Sequence, residues 1–385
     1  MLNKIGVKKI INAMGTMTLL GGNRIVPEAL DAMNEVANVF VDMEELSRKA
    51  GAYISKLVGS TDAYITNGAA AGLNLAISAA MTEGDLHKMT RLPSTEGMKN
   101  RVVLQQPHTI GNSYYHLLEI SGARLVIVGS NYHIDTADLE NAINRNVAAI
   151  VHFLYEPQEP EIPLDEVIKI AHRNNIPVIV DAAAELPPSN NLKLLISKGV
   201  DAVVFSGGKD IGAPSDTGVI LGCNYELIQN CRKLGPLSYL EVNGERRTFI
   251  GRVLKVSKED IVAFTASFER YLNIDHNKRL EEMNSIANLI IKFLKENFPE
   301  MVIKKSVNRV GERIRPVIVP KVEITLPDGL AERCCKLLKY SDPAVYTNFD
   351  SNHLIISTHT ILDEELDSLL SALVKVLREV PRQNS

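Results

Sequence analysis

Val178-Ile-Val-Asp-Ala-Ala-Ala-Glu185 is followed, one helix later, by Ala202-Val-Val-Phe-Ser-Gly-Gly-Lys209. Each segment opens as a short apolar run and closes on an ionisable group. Runs of this length with no polar alternation read as strands buried on both faces, the mark of a parallel sheet covered by helices. In open α/β sheets, ligands gather at the carboxyl ends of the strands. The interval between Asp181 and Lys209 accommodates one helix and one strand, so the two side chains are expected on neighbouring strand ends.

The same alternation extends in both directions. Strands are expected at 63–66, 101–106, 124–128, 148–155, 177–182, 201–206 and 218–221, with helices at 69–81, 111–121, 135–145, 164–174 and 190–198. After Gly251 the pattern changes. Residues 260–298 carry apolar positions at helical spacing, as one or two long amphipathic helices with a possible break at 275–277. Strands at 315–325 and 353–358 and a helix at 363–378 follow. The reading is an α/β chain in three parts: an N-terminal arm (1–15), a large domain with a mostly parallel sheet (16–255), and a small α+β C-terminal domain (256–385).

Composition narrows the function. The 385 residues carry a formal net charge of −4, which gives no general attraction for nucleic acid or anionic membrane. No apolar run is long enough to span a bilayer. The first residues lack the apolar core of a signal peptide, so a cytoplasmic protein is expected. The four cysteines form no CxxC pair and no histidine cluster has zinc-like spacing, so reduced thiols and no metal are expected.

Asp181 and Lys209 suit pyridoxal 5′-phosphate (PLP). A carboxylate beside the pyridine nitrogen keeps the ring protonated and electron-withdrawing, and a lysine amine binds the cofactor aldehyde. The small residues Ala182 and Ala183 let a flat ring lie close. Taken singly, Asp181 also reads as a helix cap or solvated strand end, and Lys209 as a surface lysine. Thr66-Asn-Gly-Ala-Ala-Ala-Gly72 follows a strand and opens an Ala-rich helix, whose first N–H groups form an anion site. Small residues at a helix start are also common for packing reasons. Ser206 either adds a hydroxyl to the same phosphate or caps the turn. Three rivals fail. Gly208-Lys-Asp210 lacks the Ser or Thr of a P-loop. Ser206-Gly-Gly-Lys209 lacks the companion motifs of penicillin-recognising enzymes. No G-x-G-x-x-G opens a βαβ unit.

Three stretches, 66–73, Val180-Asp-Ala-Ala-Ala-Glu-Leu-Pro-Pro188 and Phe205-Ser-Gly-Gly-Lys-Asp-Ile-Gly-Ala-Pro214, resemble the selenocysteine-synthase-like (SelA-like) branch of PLP enzymes. Within that branch the chain is most similar to the D-glucosaminate-6-phosphate ammonia-lyase group. The resemblance implies the aspartate-aminotransferase-like (fold type I) transferase fold and assembly as a homodimer or higher homo-oligomer. It implies Lys209 as the cofactor-bearing lysine, Asp181 as the ring-nitrogen partner, and Gly68, Ala69 and Ser206 as the phosphate cup. His108 falls where the family places a residue over the ring face and is a catalytic candidate for protonating the leaving hydroxyl, although a lone loop histidine is as often a surface residue.

A basic stretch, Glu245-Arg-Arg-Thr-Phe-Ile-Gly-Arg-Val-Leu-Lys255, resembles the family's segment near the active site; its bland reading is a solvated patch. Arg252, Arg24 and Arg313 are candidates for binding a substrate carboxylate or phosphate. The implied reaction is loss of ammonia from a 2-amino-3-hydroxy sugar acid, giving a 2-keto-3-deoxy acid. Alternatives are another PLP chemistry (racemase, aldolase, cysteine-type lyase or aminotransferase), a noncatalytic PLP carrier, or a transfer-RNA-associated protein. Selenocysteine synthases usually carry an extra N-terminal RNA-binding domain, whereas this sequence opens directly on the arm and is mildly acidic. A small amino acid or amino sugar acid is therefore the expected partner rather than RNA.

Overall fold

The computed structural model describes residues 1–110, 112–154, 160–307 and 318–379. They form two compact units, one comprising 24–274 and the other 1–23 with 275–385.

The first unit holds a seven-stranded sheet. Its strands in chain order are β1 (Asp62–Thr66), β2 (Arg101–Gln105), β3 (Arg124–Val128), β4 (Val147–Phe153), β5 (Val178–Asp181), β6 (Ala202–Ser206) and β7 (Gly218–Gly222). Their order across the sheet is β1-β7-β6-β5-β4-β2-β3. All neighbours are parallel except those of β7, which runs antiparallel to both β1 and β6.

The apolar runs of the central strands follow from burial on both faces. Val178, Val180, Val203 and Phe205 enter one core with helices Met43–Val58, Leu164–Arg173, Asn191–Ser197 and Lys258–Asn273. Ile179, Ala202 and Val204 enter the other with helices Gly68–Thr82 and Tyr225–Leu234. Successive strand residues point to opposite faces, so both sets must be apolar.

One expected helix is different. The expected helix at 111–121 begins on residue 111, which lies outside the described residues, and 112–121 hold only a 3-10 turn, Tyr115–Glu119. The side chain of Asn112 accepts from the Tyr114 N–H at 2.9 Å and donates to the His108 carbonyl at 3.1 Å, an Asx arrangement that competes with helical hydrogen bonding.

The second unit is a five-stranded sheet in the order Ile10–Ala13, Ala344–Phe349, His353–Ser357, Lys321–Thr325 and Ile303–Ser306. Helices His276–Asn297, Leu330–Lys339 and Leu366–Arg378 share its core. The polar break at 275–277 is real: Asp275 caps the helix from His276, accepting from the N–H groups of Asn277 and Lys278 at 3.0 Å.

The Gly-Gly of the lysine segment is explained by crowding. A Cβ on Gly207 would lie 2.1 Å from Thr217 Oγ1 and 2.7 Å from the Phe264 ring, and one on Gly208 would lie 2.4 Å from the Ser215 Cα. Overpacking of this kind costs roughly 1–3 kcal/mol. Gly207→Ala is accordingly expected to lower stability by that amount, read as a shift of the denaturant midpoint at unchanged m-value.

Candidate active site

Asp181 is the last residue of β5 and lies in register with Val204 of β6. Lys209 follows β6 in the tight turn Gly207–Ile211, where the backbone leaves helical geometry at the lysine (φ −106°, ψ −128°). The sheet thus delivers both side chains to one rim. The Ala183 N–H donates to Asp181 Oδ1 at 2.9 Å, turning the carboxylate back over its own strand end.

Burial pushes the Asp181 carboxyl above its ordinary range, although the Ala183 N–H and the Lys209 charge pull it down. Burial likewise pushes the Lys209 amine below its ordinary range, against the pull of Asp181 and Glu185. Desolvation opposes the charged form of each group. The outcome is an amine more easily deprotonated than usual beside a carboxylate that a further cation would stabilise.

The lysine turn is held on every side. The Gly207 N–H donates to Thr217 O at 2.8 Å, and the Ala213 N–H to Gly207 O at 2.9 Å. The Tyr271 hydroxyl donates to buried Asp210 at 2.7 Å.

The proposed anion cup is contiguous with that turn. Helix Gly68–Thr82 begins with Gly68 at φ 80°, a left-handed conformation that favours glycine. Asn67 makes no capping bond to the first-turn N–H groups; its amide instead meets the Lys255 carbonyl at 3.4 Å. A Cβ on Gly218 would approach Gly68 C and Ala69 N to 2.7 and 2.8 Å. Gly218 in turn pairs with Ser206. The uncapped helix start, β7 and the residue three before Lys209 are therefore packed together.

Other candidates are placed as follows. Arg24 is exposed, but its segment lies along the lysine turn, since the Val26 N–H donates to Gly212 O at 3.0 Å. Arg252 is exposed in the 3-10 turn Ile250–Val253, three residues before the Lys255 carbonyl that Asn67 meets. Arg246 stacks over Tyr239, and Lys258 is engaged by the Val36 carbonyl and Glu259, so neither stands out as an anion ligand. Arg313 lies outside the described residues.

His108 follows β2 and is buried among polar partners rather than at the surface. Its Nδ1 accepts from the Phe153 N–H at 3.4 Å, and its Nε2 lies 3.4 Å from Glu161 Oε1. His152, at the end of β4, brings its Nε2 to 3.2 Å from the same oxygen, and the two imidazoles meet edge to face at 4.6 Å. Burial pushes the His108 imidazole below its ordinary range. Burial also pushes Glu161 up, but the two imidazoles outweigh it and hold the carboxyl at about 2.

Sequence reasoning gave no role to Glu161, His152 or Glu185. The one available signal was His152 itself, an imidazole closing an otherwise apolar strand run. No local pattern connects Glu161 to it.

These features define a class: an α/β protein of the aspartate-aminotransferase-like, fold-type-I architecture, with a desolvated lysine and carboxylate at the rim of its sheet. The family model described as SelA, L-seryl-tRNA selenium transferase, matches residues 10–333, and the chain belongs to this family. It is 33% identical over 272 residues to a D-glucosaminate-6-phosphate ammonia lyase of Salmonella typhimurium (strain 14028s / SGSC 2262), covering 70% of this chain and 69% of that protein. It is 31% identical over 293 residues to a 5′-C-glycyluridine monooxygenase-decarboxylase of a Streptomyces species, covering 74% and 69%. A solved D-glucosaminate-6-phosphate ammonia-lyase superposes with a TM-score of 0.80 at 27% identity, over 98% of both chains.

The lowered Lys209 pKa has a measurable consequence. Between its native value and the ordinary 10.5, the unfolded chain holds a proton that the native chain lacks, so stability rises with pH across that window. Lys209→Met removes this group. Denaturant unfolding without added cofactor, from about pH 7 to about pH 10, should show a flatter rise for the variant.

Proposed function

We propose that this chain is a PLP-dependent lyase that releases ammonia from a 2-amino-3-hydroxy sugar acid of the D-glucosaminate 6-phosphate type. The observation that carries the reading is the pairing of Lys209 and Asp181 on adjacent strand ends, in a chain 33% identical to a lyase of that name. The site suits the cofactor in its chemistry. A carboxylate raised by burial is stabilised by a protonated ring nitrogen, a lowered amine is a ready nucleophile for an aldehyde, and an uncapped helix start offers N–H groups to a phosphate.

When bound, the cofactor supplies a protonated aromatic ring that takes up the electron pair left by a Cα–H bond. Asp181 keeps the proton on the ring nitrogen. The N–H groups of Gly68 and Ala69, with the Ser206 hydroxyl, hold the phosphate end. Lys209 Nζ would hold the aldehyde end of the cofactor and, once freed by the substrate amine, would accept the Cα proton. Burial lowers its pKa, which favours the free amine that this exchange needs. The C3 hydroxyl leaves as water. Hydrolysis then returns one water and frees one ammonia per keto acid. Arg24 and Arg252 flank the lysine turn and the helix start, and are proposed to bind the substrate carboxylate or phosphate. Among the described residues no helix is long and apolar enough to cross a membrane. We further propose a cytoplasmic homo-oligomer acting on a small molecule.

A second reading has a specific basis. The chain is also 31% identical to a protein named as a monooxygenase-decarboxylase, which favours an oxidative decarboxylation as the second reading.

Two measurements separate these. Purified protein supplied with PLP should turn yellow. Lys209→Ala should lose that band and the roughly 10²–10⁴-fold contribution of positioned proton transfer, and Asp181→Ala should bind PLP weakly and turn over far more slowly. If Lys209→Ala keeps both colour and turnover, the site is misassigned. With D-glucosaminate 6-phosphate, ammonia should appear without any amino acceptor. Strict dependence on a keto acid would mean transamination, and loss of carbon dioxide without free ammonia would favour the second reading.

A further inference from the structure

We infer that the Phe153 main-chain N–H on one side and Glu161, a positioning residue shared with His152, on the other hold His108 as a neutral imidazole with its proton on Nε2, so that His108 presents a ring face and does not exchange protons with substrate.

The tautomers follow from donors that cannot turn away. The Phe153 N–H is main chain, and its contact with His108 Nδ1 makes that nitrogen an acceptor. A neutral imidazole has one donor and one acceptor, so the proton sits on Nε2, the nitrogen that lies 3.4 Å from Glu161 Oε1. For His152 the deciding donor is Gln105. The Ile162 N–H donates to Gln105 Oε1 at 2.7 Å, and Gln105 Nε2 donates to Ile162 O at 3.1 Å, which fixes the amide's orientation. The same Nε2 lies 3.3 Å from His152 Nδ1, so that nitrogen is also an acceptor and His152 Nε2 carries the proton. Glu161 Oε1 therefore faces the proton-bearing nitrogens of two neutral rings, at 3.4 and 3.2 Å. A carboxylate is an acceptor only, and its single charge is satisfied without either ring becoming cationic.

Two rivals lose on the same contacts. Two histidines and a glutamate with ligand atoms within 4.8 Å of one another have the composition of a metal site. A metal held between the two Nε2 atoms needs their lone pairs, which moves both protons to Nδ1, against the N–H groups of Phe153 and Gln105. An imidazolium at His108 meets the same main-chain N–H. Under the PLP reading, on which the catalytic consequence rests, a cationic ring here would also face a protonated pyridine, a like-charge pair that destabilises both. The acid for the departing hydroxyl is then a group other than His108.

The test uses the full-length chain labelled with 15N-histidine, without added cofactor, at neutral pH. Nine histidines give a tractable spectrum, and His108→Asn and His152→Asn assign the two signals. Both rings should be protonated at Nε2 and bare at Nδ1. A proton on Nδ1 of either ring, a doubly protonated His108, or a stoichiometric zinc ion that a chelator removes would overturn the inference. Glu161→Leu takes that acceptor away from both N–H groups, so one ring should show mixed tautomers. After PLP loading, kcat should fall about tenfold or more, the scale on which carboxylates that orient imidazoles act, with KM little changed. Glu161→Asp should restore Nε2 protonation and most of kcat. A Glu161→Leu variant with wild-type spectra and kcat would refute the positioning role. If the chain takes up no PLP yet both rings carry Nε2 protons, the enzyme reading fails and the tautomer lock stands.

Discussion

Desolvation of a lysine and a carboxylate at one end of a sheet is the constraint around which this structure is arranged. Burial works against the charge of Asp181 and against that of Lys209, and their mutual attraction offsets only part of it. Buried ion pairs are weak contributors to stability, and perturbed groups of this kind concentrate at functional sites. The pair makes sense as stored reactivity. The amine is primed to lose its proton, and the carboxyl is short of positive charge.

Holding such a pair requires a scaffold that leaves the lysine turn no alternative. The turn is tied at Gly207 to Thr217, and at Asp210 to Tyr271 of helix Lys258–Asn273. The glycines of Ser206-Gly-Gly-Lys209 contribute by having no side chain. Thr217, Phe264 and Ser215 occupy the space where Cβ atoms would lie. The same closeness joins Gly218 to the start of helix Gly68–Thr82, so the anion-binding end and the lysine end form one packed body. Sites carried on elements packed this tightly hold their geometry better than sites on loose loops.

Relatives in this family bear names as different as ammonia lyase and monooxygenase-decarboxylase at similar identity. A fold and its shared core supply electron withdrawal and a movable proton, whereas the outcome depends on which bonds the surrounding groups align. The His108–Glu161–His152 cluster belongs to that surrounding layer. Main-chain N–H groups orient it, that of Phe153 on His108 and that of Ile162 on the Gln105 amide beside His152.

The sequence by itself determined the parallel sheet and the Asp181–Lys209 pairing. Strands buried on both faces must be apolar throughout, and a run that stops at a charged group marks a strand end. Those signals are local and survive in a linear reading. The 3-10 turn at Tyr115–Glu119 was misread as a helix because the Asn112 side chain, invisible to periodicity, captures the backbone. Only the tertiary structure decided that Glu161 joins two imidazoles and that Glu185 acts on the lysine. It also showed that the glycines are there for closeness. Each of these depends on atoms brought together from distant chain positions, where distance and hydrogen direction rather than residue order set the interaction.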